Sequence, residues 1–140
     1  MFDDCSSSVE LNSSVLPNET ICKYQLRRDE VRTDGTVRHN AFMPASDGTR
    51  SVFRISSLSD SDVWKLGWEK VANLRGLPLL GRFEISAELV FDQGLKFNPD
   101  ADRNSRHAEI VGWPDEKAKR QSIAQILAAE AKALRYQQAG

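Results

Sequence analysis

Residues 106–136 read RHAEIVGWPDEKAKRQSIAQILAAEAKALRY. Ala108, Ile110 and Val111 make a short strand, and Gly112-Trp113-Pro114 ends it in a turn. A helix leaves that turn. Pro114 stands at or just before its first position, where a missing N–H costs nothing, and Asp115 and Glu116 suit the positive end of the helix dipole. Ile123, Ile126, Leu127, Ala131 and Leu134 recur at helical spacing, which predicts an amphipathic helix over about 115–136. Burying its four large side chains is worth on the order of 1.5–3 kcal/mol each. A helix of that length needs strands beneath it, and the upstream sequence supplies them.

Working outward, Gly81 to Asp92 carries Phe83, Ile85, Ala87, Leu89 and Phe91 at period two and reads as one long strand. Before it, Ser59 or Asp60 caps a helix over about 60–74, with Trp64, Trp68, Val71 and Leu74 as its apolar stripe and Gly76 as its left-handed stop. Ser51 to Ser56 and Ile21 to Leu26 read as strands, separated by turns at Asp34-Gly35 and Asp47-Gly48. The order β, irregular, β, α, β, β, α gives an α+β domain over residues 20–138. It is a small antiparallel or mixed sheet with the two main helices packed on one face. Residues 1–19 are acidic and polar. They read as a tail that is disordered or ordered by a partner, with Val9, Leu11, Val15 and Leu16 as anchors for protein binding.

The length of 140 residues suits one domain. No apolar run approaches the roughly 18 residues of a membrane span, and the N-terminus lacks the basic and apolar regions of a secretory signal. A cytoplasmic protein with no membrane partner is expected. Cys5 and Cys22 are then free thiols. Two Cys and two His with no ligand-type spacing predict no metal, and the absence of phosphate-loop and dinucleotide glycine patterns predicts no cofactor. The net charge of −1 hides a split: residues 1–20 carry −4, leaving +3 on the rest. That mild excess argues against nucleic acid as a partner.

Four polar or aromatic sets could carry function. Arg27 and Arg28, with Arg38, Arg50 and Arg54, could form a phosphate-binding surface, because guanidinium groups grip phosphate bidentately. His107 could move a proton, since imidazole titrates near neutrality, and His39 is a weaker equivalent. Glu84 and Glu88, at alternate positions of one strand, would share a face, with Glu109 nearby. Trp113, on a turn, is the strongest candidate for an interface anchor, while Trp64 and Trp68 are expected to face the core.

The series Tyr24-x-Leu26-Arg27-Arg28, Asp34-Gly35-Thr36-Val37, Ala41-Phe42-x-Pro44, Ser51-Val52 and His107-Ala108-Glu109-Ile110-Val111-Gly112-Trp113-Pro114 resembles a group of small uncharacterised bacterial proteins over residues 21–136. The resemblance implies a cytosolic protein of conflict or phage-defence operons, with protein partners encoded nearby, and no established activity. A fainter likeness to the ADP-ribosyltransferase fold would map Arg27 or Arg28, Ser51, and Glu84 or Glu109 onto that group's Arg, Ser and Glu order. Its Ser-Thr-Ser pattern is missing. The leading expectation is a non-enzymatic accessory or interaction subunit using Trp113, Val15 and Leu16. The alternative is an enzyme acting on a nucleotide or RNA phosphate through Arg27, Arg28 and His107.

Overall fold

A computed structural model describes residues 13–100 and 105–136. Among the described residues, six strands form one antiparallel sheet: β1 (Thr20–Gln25), β2 (Arg50–Arg54), β3 (Gly81–Ser86), β4 (Lys96–Pro99), β5 (His107–Val111) and β6 (Lys132–Arg135). Their order across the sheet is β4-β5-β2-β1-β3-β6. The helices are α1 (Asp60–Gly67), α2 (Asn73–Arg75), α3 (Ala87–Asp92) and α4 (Lys117–Glu130), with a π-helical segment at Trp68–Ala72 joining α1 to α2. The class is α+β, as expected from the sequence. No helix among the described residues is long and apolar enough to cross a membrane.

Alternation along the strands divides the core in two. Ile21, Val52, Phe83, Ile85, Ala108 and Ile110 pack with Phe42, Leu127 and the α4 alanines. The intervening Cys22, Tyr24 and Phe53 pack with Val63 and Ala72 of the α1–π–α2 run. Neighbouring strand residues point to opposite faces, so the two main helices cover opposite faces and not a shared one. Small Ala124 and Ala128 let α4 come close to the His39–Ala41 turn, which it contacts.

Three element boundaries differ from the sequence expectation. The period-two run of Gly81–Asp92 is a strand only to Ser86. There the Ser86 Oγ accepts from the Leu89 amide at 3.2 Å and caps α3, which buries Ala87 and Val90 at i, i+3. Glu84 and Glu88 therefore do not share a strand face. The helix expected over 115–136 begins at Lys117, three residues after Pro114, and stops at Glu130. Its expected last turn is β6, paired to β3 from Gly81↔Arg135 to Glu84↔Lys132. Ile126 is exposed and Leu134 half-buried, so Leu127 with two alanines does most of the packing. In the 60–75 helix the wide π turn inserts a residue, which rotates the downstream residues by about 100°. Ala72 replaces Val71 on the sheet, while Trp68 and Leu74 are exposed and not core-facing.

The expected tail of residues 1–19 is built into the fold from Ser13 onward; residues 1–12, with Val9 and Leu11, lie outside the described residues. Val15 is a core residue, 6% exposed, which removes it as a free anchor, whereas Leu16 is exposed. Glu19 holds the segment. Its carboxylate accepts from the Arg54 guanidinium at 2.8 and 2.7 Å and from the Leu16 amide at 2.8 Å. Arg54 also donates to the Ser14 carbonyl, and Arg106 donates to the Arg54 carbonyl and to Ser57 Oγ. Burial alone would raise the Glu19 pKa, but the Arg54 and Leu16 hydrogen bonds and the arginine charges outweigh it, so it lies below the ordinary 4.5.

Breaking this buried pair by Arg54→Ala should destabilise the fold by about 3–5 kcal/mol in urea unfolding, because it leaves Glu19 buried and unpaired. A carboxylate with a lowered folded pKa stabilises above its unfolded pKa, and that stability fades as pH falls through the folded value. The wild-type Tm should thus drop on acidification below about pH 4.5, and Glu19→Gln should flatten that part of the pH profile.

Candidate functional site

Strand β1 pairs with β3 along its whole length, Thr20↔Ser86 through Gln25↔Gly81. With β2 it pairs only at Ile21↔Arg54 and Cys22↔Phe53. The next register positions, Lys23 with Val52 and Tyr24 with Ser51, are not paired, so the centre of the sheet opens. A cavity of about 720 Å³ sits there, a volume in the range of small-molecule sites. Lys23 and Tyr24 of β1, and Arg50, Ser51 and Phe53 of β2, form its strand walls. The π segment and α2 cover one side with Lys70, Val71, Leu74 and Arg75, and the loop after β1 contributes Glu30, Asn40 and Ala45.

Each wall has a local cause. Two Asp-Gly-Thr turns, at Asp34–Thr36 and Asp47–Thr49, fold the loop back on itself. In each, the Asp Oδ1 accepts from the Thr amide and hydroxyl, and the glycine takes the positive φ the turn requires, 89° at Gly35 and 82° at Gly48. On the other side, Tyr24 Oη donates to the Val63 carbonyl at 2.6 Å, and its ring lies against Gly67. A Cβ there would stand 2.4 Å from Tyr24 Cε1, so only glycine lets α1 approach this closely. π segments recur at functional sites, and here the segment aims Lys70 and Val71 at the cavity.

The electrostatics are one-sided. Lys23, Arg27, Arg50, Lys70 and Arg75 line the cavity, and Glu30 is its one carboxylate among the described residues. Lys23 is ion-paired with Glu30, and both are mostly buried. Burial pushes the Lys23 pKa down, as do the charges of Arg50 and Arg75, against the pull of Glu30. Burial likewise lowers Arg50, and Arg75 adds to it. The Arg50 Nε is fixed by the Met43 carbonyl at 2.8 Å. Glu30 Oε1 meets no hydrogen-bond donor among the described residues, an arrangement that costs roughly 1–3 kcal/mol for a buried polar atom.

The residues picked out by sequence are distributed unevenly. Arg27 lies at the cavity, exposed and paired with Asp29 at 3.1 Å, while Arg28 is exposed and not among the lining. His107, 3% exposed, also lines the cavity; its ring meets Phe53 edge-on at 5.3 Å and its Nδ1 lies 3.4 Å from Asp100 Oδ2. Ser51 lines the wall and stands opposite Glu109 across β2 and β5. Glu84 is engaged by Arg82, which also holds Asp60 and stacks on Trp64 at 4.4 Å. Trp113 is half-buried against the core, with Nε1 donating to the Ile110 carbonyl at 3.1 Å, so its ring closes the turn it sits on. Cys22 is fully buried and its thiol is pushed up to about 12, mainly by burial. No cluster of metal-type side chains occurs among the described residues. The sequence did not single out Lys23, Glu30, Lys70 or Arg75 as site residues. Lys23 between apolar Cys22 and Tyr24 was the available signal.

Comparison with protein-family models, with curated proteins and with solved structures found no match.

Gly67→Ala should lower stability by about 1–3 kcal/mol through the clash with Tyr24, because the helix must back away from a filled contact. Thermal unfolding measures it, and Gly67→Ala combined with Tyr24→Leu should recover part of the loss.

Proposed function

We propose that the protein binds a phosphate-bearing small molecule of about mononucleotide size in the cavity between β1 and β2. The observation that carries this reading is the gathering of five cationic side chains around one cavity in a chain of net charge −1. Like charges crowd together at a cost unless an anion joins them, and Arg50 and Arg75 offer the planar donors that suit phosphate. Apolar Leu26, Val71 and Leu74 beside the cations give a base or sugar ring somewhere to rest. Calorimetric titration at low salt should show AMP and inorganic phosphate binding. Arg50→Ala should weaken both roughly tenfold or more, the size of a lost charged hydrogen bond. Arg135→Ala on the sheet edge should leave both unchanged. Absence of binding, or equal effects of the two substitutions, would remove the reading.

A second reading, as a subunit of a larger assembly, is favoured by a different observation. Leu74 is 75% exposed, and Trp68 and Leu77 are each 43% exposed. Trp is enriched at interface hot spots, and apolar leucines beside it would extend a docking surface. On this reading Trp68→Ser with Leu74→Ser abolishes co-purification of a protein partner without lowering Tm, whereas Trp113→Ala lowers Tm by disturbing its turn. Retained co-purification in the double variant would exclude this surface.

A further inference from the structure

Phosphate binding accounts for the cations of the cavity and leaves Glu30 without a role. Glu30 is 4% exposed, one oxygen faces the Lys23 ammonium, and the other meets no donor among the described residues. A fully ionised phosphate group has no proton to donate to this carboxylate. A ligand that also carries a hydroxyl would find in it an acceptor.

We propose that Glu30 selects phosphate monoesters bearing free hydroxyls close to the phosphate. This rests on the phosphate-binding reading above. Lys23 and Glu30 satisfy one another in part. When the ligand enters, its phosphate draws the Lys23 ammonium, and its hydroxyl donates to Glu30 in place of that ammonium. The exchange suits the two side chains. Lysine is a compact charge on a flexible four-carbon stem that turns easily from one anion to another. An ionised carboxylate accepts hydrogen bonds and donates none, so it rewards a hydroxyl and rejects a second anion. Arg50 and Arg75 lie near enough to Lys23 to press on its charge, so phosphate arriving among the three relieves that crowding. The selected feature is the pairing of phosphate and hydroxyl within one small molecule.

The test compares glycerol 3-phosphate with propyl phosphate at pH 8, which differ in hydroxyls and match in charge and length. Wild-type protein should bind glycerol 3-phosphate at least tenfold more tightly. In Glu30→Ala the ratio should fall to near one, with propyl phosphate still bound; in Glu30→Gln, which keeps the shape should the alanine variant unfold, it should fall part of the way. Equal affinity for the two esters in wild type, or an unchanged ratio in both folded variants, overturns the role of Glu30 while Arg50-dependent binding of propyl phosphate keeps the cavity reading. Failure of both esters to bind overturns both readings.

Discussion

Strand β1 is held by β3 over six residue pairs and by β2 over two. That imbalance organises the rest of the molecule. Full pairing on one side fixes β1 in the sheet, so the parting on the other side becomes a rigid opening and not a frayed edge. The backbone hydrogen bonds given up there are a real cost. Side chains from both strands, a π turn above and two Asp-Gly-Thr turns below fill the space around the opening without closing it. On the other side of the two-pair contact, the Arg54–Glu19–Arg106 network clamps β2 to the N-terminal segment and to Ser57. The closed end of the strand pair is thus as heavily bonded as the other end is open.

The same contrast runs through the charges. Arg54 and Arg82 are committed to internal partners, Glu19 in one case and Asp60 and Glu84 in the other. Both belong to the scaffold, although the buried Arg82 Nη1 meets no acceptor among the described residues. Lys23, Arg50 and Arg75 have Glu30 as the single carboxylate of the cavity, among the described residues, to share. A site with more cations than internal counter-charge is poised for an external anion, and partial burial strengthens that attraction by excluding water. Tyr24 lines the cavity with its phenol tied to the Val63 carbonyl, while neighbouring Cys22 is buried away from it, its thiol pushed up to about 12 by burial.

The outline of the fold was legible in sequence where a single signal spoke. Ser59 and Gly76 bound a helix as their types require, and the two Asp-Gly turns fall where expected. It failed where two periodicities coexist. Phe83 to Phe91 satisfies an alternating pattern throughout, yet Ser86 followed by Glu88 also spells a helix start, and the cap prevailed because α3 buries Ala87 and Val90. Lys132 to Arg135 looks helical in isolation and is a strand because β3 offers it an edge to pair with. The cavity was only partly legible. Arg27, Arg50 and His107 stood out as polar residues near strands, but Lys70 and Arg75 join them through a π turn that no local rule announces.

The most direct measurement is an amide NMR titration of the ¹⁵N-labelled protein with AMP. If the parted strands form the site, shifts concentrate on residues 23–30, 50–53 and 70–77 and saturate together, while β4 and β6 at the sheet edges stay still. Shifts centred on β4, β6 or α4, or none at millimolar AMP, would contradict a ligand site between β1 and β2.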